Sequence, residues 1–325
     1  MQRRATVLAV LALAALPRVA RPQPAAKAAR IGLLSPSANA MEFPEKPTLD
    51  SLRELGWIDG RNVVIERRHA GGDPTLLAQQ AADLVRLKVD VILTFSGGVA
   101  IAKRATQTIP IVFGSSQDPV RTGFVTSLGR PGGNLTGATY LTDELSAKRL
   151  GLLKEMMPGI SRVAVLWEPS HLDNEFKGMQ AVANGLGVQL LSVQIPRPVR
   201  ADELELSMLA IRQGRAEALV LAPGGFTIAN RRRIIALASA NRIPVISAWR
   251  IFSDDGALLT YGPDLPEIAH RIALHVDRIL KGARPDELPV VGPTRFELVL
   301  NLNTAKALAI GIPQSLLIRA DQMIG

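Results

Sequence analysis

The chain has 325 residues, 47% of them apolar, which suits about two domains of roughly 100–200 residues each and excludes a disordered chain. Its formal charge of +9 is concentrated at the start: residues 1–28 carry five basic and no acidic side chains, leaving 33 basic against 29 acidic. That mild remainder has no Lys/Arg tract interleaved with aromatics and no zinc-finger spacing, which argues against a nucleic-acid partner. The lack of cysteine excludes disulfides, thiolate metal sites and a lipid-modified N-terminal cysteine.

The chain opens with Arg3 and Arg4, an apolar run from Ala5 to Leu16, and then a small-residue region. This is the order of a secretory signal, and the run is too short to serve as a permanent membrane span. Residues 1–28 are therefore expected to be a cleavable signal peptide, cut after Ala20 or near Ala26-Lys27-Ala28. The mature protein is expected to be free in the periplasm, not lipid-anchored.

Short apolar runs then alternate with helical patterns: Ile31–Leu34, Thr48–Leu55, Val63–Glu66, Leu76–Leu87, Val91–Phe95, Val99–Thr106 and Ile109–Phe113. Strand and helix in turn predict a parallel sheet with helices on both faces. The glycine- and proline-rich passage 122–137 reads as a crossover or linker. Alternation resumes with helix Glu144–Met157, strand Val163–Trp167, helix Glu175–Leu186, strand Val188–Ile195, helix Glu203–Arg212, strand Ala218–Ala222, helix Ala229–Asn241 and strand Pro244–Ala248. The last part predicts strand Ala257–Tyr261, helix Pro266–Leu280, a proline-spaced connection over Ala283–Pro293, strand Phe296–Leu302 and short terminal helices. Irregular passages near 114–140, 249–263 and 283–295 would carry the chain between two units three times, making a hinge.

The two units are related. Val89–Arg104 (VDVILTFSGGVAIAKR) matches Ala216–Arg231 (AEALVLAPGGFTIANR) at a constant offset of 127, aligning Gly97 with Gly224 and Gly98 with Gly225. Each lobe thus carries a Gly-Gly turn where a strand meets a helix.

Catalytic motifs are missing. Gly97-Gly98 lacks the G-x-G-x-x-G spacing, and no G-x-x-x-x-G-K-[ST], H-E-x-x-H or G-x-S-x-G is present. The four histidines, His69, His171, His270 and His275, are scattered and read as surface or helix-face residues. Ser115 and Ser116 near Asp118 have no histidine partner in the pattern. No enzyme activity, metal or cofactor is expected; an α/β enzyme acting on a small molecule stands as the alternative.

A binding reading requires less. In open α/β sheets ligands sit at the carboxyl ends of strands, where helix N-termini offer free N–H groups and glycine admits close approach. Ser96, Gly97 and Gly98 in one lobe and Pro223, Gly224, Gly225 and Phe226 in the other are the candidate grip on a small polar solute. Asp118 could meet an ammonium or close an Asp-Pro turn. Tyr140, Trp249 and Tyr261 lie at the crossings, where they would touch ligand or pack the hinge, and Arg250 could clamp a carboxylate. Arg231-Arg232-Arg233 reads as a solvated helix face, with docking to a membrane partner as the sharper alternative.

Long stretches resemble the periplasmic substrate-binding proteins of ABC transporters, in the branch with tryptophan- and tyrosine-binding members. They include LRELGWIDGRNVVIERRHAGGD (52–73), KRATQTIPIVFGSSQDPVRTGFVTSLGRPGGNLTG (103–137), KRLGLLKEMMPGISRVAVLWEP (148–169), LTYGPDL (259–265) and VDRILKGARPDELPVVGPTRFELVLNLNTAKALAIGIP (276–313). The resemblance implies a type I periplasmic-binding-protein fold: two Rossmann-like α/β lobes joined by a three-strand hinge. One lobe would comprise residues 29–138 with 262–294, the other 139–261 with 295–325. It further implies a monomer that binds an amino acid or small carboxylate, ligand contacts from Ser35 and Pro36, and an ABC permease in the inner membrane as partner. Relatives carry a threonine-rich turn where this chain has Phe95-Ser96-Gly97-Gly98, so fewer hydroxyls are offered here.

Overall fold

The computed structural model describes residues 28–36, 44–140, 142–169, 175–196, 199–222 and 224–325. The leader reading, and those of His171 and Pro223, fall outside the described residues.

The first sheet contains β1 (Ala29–Ser35), β2 (Val63–His69), β3 (Val91–Phe95), β4 (Ile111–Ser115) and β5 (Leu135–Thr139), all parallel, in the order β2-β1-β3-β4-β5. Helices α1 (Glu45–Glu54), α2 (Pro74–Arg86) and α3 (Gly98–Ala105) connect them. After α4 (Thr142–Met156), the second sheet is built from β6 (Arg162–Trp167), β7 (Gln189–Gln194), β8 (Ala218–Leu221), β9 (Val245–Ser247) and β10 (Leu259–Pro263). These run β7-β6-β8-β9-β10, the same order as the first sheet, and β3 and β8, matched at an offset of 127 residues, hold the same place in each. The central strands are buried along their whole length, as parallel strands covered on both faces must be.

The helices of the second sheet are α5 (Glu175–Ala183), α6 (Glu203–Gln213), α7 (Gly225–Ala229), α8 (Arg231–Ala240) and α9 (Arg250–Asp254). The chain then runs through α10 (Leu265–Leu280), β11 (Phe296–Asn301), α11 (Leu302–Leu308), α12 (Gln314–Arg319) and β12 (Gln322–Ile324). β11 lies antiparallel to β10, and β12 parallel to β11.

Each sheet gives away the helix that follows its fifth strand. After β5 the chain enters α4, which packs on α5, β10 and β9 of the second sheet; after β10 it enters α10, which packs on α1, β5, β4 and β3 of the first. The buried stripe of α10, Ile268, Ile272, Val276 and Ile279, explains why it is held there. Asp264 starts it by accepting from the Glu267 N–H, as Asp73 starts α2 by accepting from Thr75 and Leu76, each with a proline in the first turn. A third connection runs along β5, where Ala138 bridges Val291 and Thr136 Oγ1 donates to the Leu288 carbonyl at 2.7 Å, before β11 returns to the second sheet.

Buried polar groups anchor the exchanged helices. Arg149 of α4 and Glu175 of α5, both fully buried, meet at 2.7 Å, and Arg149 also donates to the Tyr261 carbonyl of β10 at 3.3 Å. On the other lobe, Trp57 Nε1 donates to Asp277 of α10 at 2.9 Å, and the two ring nitrogens of His275 lie 2.8 and 2.9 Å from the carbonyl oxygens of Arg271 and Pro289.

Several sequence expectations are corrected. The passage 122–137 is not wholly linker, since it ends in β5, whose Gly137 lies so close to β4 that a Cβ there would fall 2.0 Å from the Phe113 carbonyl. The helix expected over Ala229–Asn241 is α8, which starts at Arg231; the short α7 before it, over Gly225–Ala229, is not among the expected elements and stops at Asn230, whose Nδ2 donates to the Phe226 carbonyl. The strand expected at Ile109–Phe113 starts at Ile111, since Pro110 has no N–H for the ladder. Arg232 and Arg233 are exposed, as a solvated helix face requires, and pair with Asp255 and Glu205; only Arg231 is partly buried, against Asp255. His275 and His270 both lie on α10, the first facing inward at 4% exposure and the second exposed, whereas His69 is partly buried on β2, 3.3 Å from the buried Glu45.

Two predictions follow from this packing. Arg149→Met, which strands the buried Glu175 carboxylate, is expected to cost about 3–5 kcal/mol in chemical denaturation, with most of it regained in Arg149→Met/Glu175→Leu. Burial, and then the Asp264 carboxylate, push Glu297 of β11 up from the ordinary glutamate value. A carboxyl raised in the folded state favours folding fully below its unfolded value, and this contribution is lost as pH rises through its folded value. Glu297→Gln is therefore expected to melt above wild type at pH 8, with the gap closing as pH falls towards 4 in parallel thermal melts.

Candidate functional site

In both sheets the parallel strands direct their carboxyl ends, and the N-termini of the following helices, to one edge. The two edges meet at Tyr140, one residue after β5, and Trp249, two residues after β9. Their rings pack edge to face at 6.0 Å between centroids and 86° between planes. Tyr140 is 1% and Trp249 3% exposed. Burial pushes the Tyr140 phenol up, so it stays protonated. Its hydroxyl lies over β4, where a Cβ on Gly114 would come within 2.3 Å, so glycine is needed to seat the ring.

The first Gly-Gly turn sits between β3 and α3 on this edge. Ser96 takes a positive φ of 42°, a conformation that costs a non-glycine residue about 1–3 kcal/mol and that clusters at functional sites. Its N–H donates to the Gly114 carbonyl, which holds the turn against β4. Gly98 is sterically required, since a Cβ would fall 2.2 Å from Thr94 Oγ1, itself donating to the Leu34 carbonyl at 2.8 Å. Gly97 is exposed, and a Cβ there would meet no atom within 4 Å. Space is thus left over its backbone.

The second turn uses its glycines differently. Here Gly224 is the constrained one, with a Cβ position 2.4 Å from Glu168 Oε1, while Gly225 is exposed and open. Glu168, directly after β6, accepts from the Phe226 N–H at 2.7 Å, so a carboxylate of the chain itself covers the start of α7. Thr227, fully buried, accepts from the Gly224 N–H and donates to the Ala222 carbonyl.

The other candidates separate. Ser35 ends β1, buried, and Pro36 follows it; their carbonyls accept from the Ala70 and Gly72 N–H groups. Asp118 is exposed, and its Oδ1 accepts from the Val120 and Arg121 N–H groups, closing the Asp-Pro turn. Arg250 opens α9 with an exposed side chain 3.6 Å from Asp254. Tyr261 packs with the second apolar cluster, stacked on Phe296, and Lys148 Nζ donates to its hydroxyl at 2.5 Å and lies 4.4 Å from its ring centre. Tyr140 and Trp249, by contrast, share the cluster that contains the face of α10.

Glu168 was missed by the sequence reading, although a signal for it exists. Leu34 pairs with Thr94 and Leu166 with Leu221, and Thr94 and Leu221 correspond at the 127-residue offset. Glu168 therefore holds in the second sheet the place that Pro36 holds in the first, and both lie just past a strand's carboxyl end.

The family model described as "ABC transporter substrate binding protein" matches residues 37–324. Among characterised relatives, the tyrosine-binding protein of Clostridioides difficile strain R20291 is 25% identical over 273 residues, covering 83% of this chain and 77% of that protein. Among solved structures, a conserved domain protein from Vibrio cholerae O1 biovar El Tor superposes with a TM-score of 0.82 at 25% identity, covering 91% of this chain and 100% of that one. An ABC domain from Streptococcus pneumoniae in complex with L-Trp also gives a TM-score of 0.82, at 22% identity over the same shares. With its two like-ordered parallel sheets arranged in the type I periplasmic-binding-protein fold, the chain belongs to the ABC transporter substrate binding protein family.

Proposed function

We propose that the protein is the extracytoplasmic receptor of an ABC importer, closing two lobes on an amino acid or a small, aromatic carboxylate and delivering it to a membrane permease. The lobes that close are residues 29–138 with 262–294 and residues 139–261 with 295–325. The observation that carries this reading is the convergence of two carboxyl strand edges on the Tyr140–Trp249 contact, beside a backbone left open at Gly97. A solute that brings in the ordering contacts of the closed state would shift the lobes toward it. The relatives named for tyrosine and L-Trp support an aromatic amino acid as the first class to test.

The expected ligand set is Ser35, Pro36, Ser96, Gly97, Gly98 and Asp118 from the first lobe. Gly224, Gly225, Phe226, Trp249 and Arg250 would contribute from the second, with Tyr140 and Tyr261 at the crossings. Residues 1–28 direct export and are cleaved, and the cysteine-free mature chain acts as a monomer in the periplasm without a lipid anchor or nucleic-acid partner. Its chemistry is that of holding and releasing, with no turnover.

Calorimetry and thermal shift across amino acids and aromatic acids test this. A true ligand at a hundredfold its Kd stabilises by about 2.7 kcal/mol, a rise of several degrees, and no stabilisation by any solute in the library would defeat the proposal. Gly97→Ala localises the site. Because φ at Gly97 is −60° and the added methyl meets no atom, the ligand-free melting temperature is expected to stay within about 2 °C of wild type. Affinity is expected to fall about tenfold or more, as the methyl enters the space kept for the solute.

A further inference from the structure

The two glycine turns correspond in sequence yet differ in charge. At the first, the backbone of Gly97 faces open space. At the second, the Glu168 carboxylate, 4% exposed, accepts from the Phe226 N–H at 2.7 Å. It also stands so close to Gly224 that any side chain there would collide with it. The donor that would otherwise greet a ligand carboxylate at this turn already serves a carboxylate of the chain. By register Glu168 takes the place that Pro36 holds in the first sheet, so the carboxylate lies just past the carboxyl end of β6, beside the second glycine turn.

We propose that Glu168 is a specificity-determining residue that fixes the orientation of the bound solute, a deepening that rests on the receptor reading above. A second carboxylate brought to the Gly224-Gly225 turn would meet like charge with its N–H donor already used. With the Asp118 carboxylate held in its own turn by the Val120 and Arg121 N–H groups and Arg250 lying beside Asp254, the solute's anionic end is turned toward the open Gly97 backbone of the first lobe, and its ammonium or other donor group toward Glu168. The ligand class this selects is a zwitterion or amine over a simple carboxylic acid of the same shape.

Glu168→Gln tests the assignment, because the amide keeps an acceptor oxygen for the Phe226 N–H while it removes the charge and turns the other oxygen into an NH2 donor. L-tryptophan, tryptamine and indole-3-propionate are the probes, with L-tyrosine, tyramine and 3-(4-hydroxyphenyl)propionate as a parallel set, measured by calorimetry on wild type and variant. In wild type the amine is expected to bind at least tenfold more tightly than the acid. In Glu168→Gln, with the ligand-free melting temperature close to wild type, that ratio is expected to move at least tenfold toward the acid. A residue that only stabilises the turn would weaken all three probes together and leave the ratio unchanged, which would overturn the assignment. Should the variant not fold, the order in wild type decides: an acid that binds as well as the amine overturns it. Failure of wild type to bind any probe or any other library solute overturns the receptor reading itself, whereas binding with an unshifted ratio overturns only the role of Glu168.

Discussion

The exchange of the helix that follows each fifth strand is the constraint from which the rest of the molecule follows. The face at β4 and β5 is covered by α10, which the chain reaches only after β10, and β9 and β10 are packed by α4, which it enters directly from β5. The chain must cross between lobes after Thr139 and again after Pro263, and the return to β11 adds a third crossing. Because both helix exchanges begin at the carboxyl ends of strands, the two edges rich in helix N-termini are tied face to face. Tyr140 and Trp249 fill the point where they touch. The meeting of the two edges at that seam is thus a consequence of connectivity.

Apolar burial alone would not fix an exchanged helix in register, since it has no direction. The buried polar contacts supply one. Arg149 reaches both Glu175 and the carbonyl of Tyr261, joining α4 to its neighbouring helix and to the strand that leads into the hinge. His275 lies between a carbonyl of its own helix and that of Pro289, so α10 is fastened to the third connection. Both anchors lie at hinge segments, where small angular errors would be magnified into misplacement of a whole lobe.

Much of this organisation was legible in the sequence. The continuous apolar run Val91–Phe95 and the stripe on Ile268, Ile272, Val276 and Ile279 gave their elements almost residue for residue, because burial on two faces or on one leaves a clear period. The 127-residue offset placed β3 and β8 correctly, since a duplicated strand keeps its place when its neighbours keep theirs. The strand β5 was hidden by Gly137, chosen for a backbone approach that no periodicity records, and α7 by its five-residue length, too short to show a helical period. Asp118 and Arg250 carried chemistry plausible in either role. Only coordinates show that one closes a turn and the other lies exposed near Asp254.

The divergence of the paired turns shows how a duplicated site can acquire polarity. Gly98 is demanded by Thr94 and Gly224 by Glu168, so the constrained glycine has moved from the second to the first position of the pair. What remains open is the backbone at Gly97 on one lobe and at Gly225 on the other, each next to a turn satisfied from within by a different group. Two identical lobes would offer a solute two equivalent anion-binding corners and leave its orientation undecided. A carboxylate buried at one corner removes that degeneracy. Because it is already bound to the Phe226 N–H, the ordering is in place before any solute arrives.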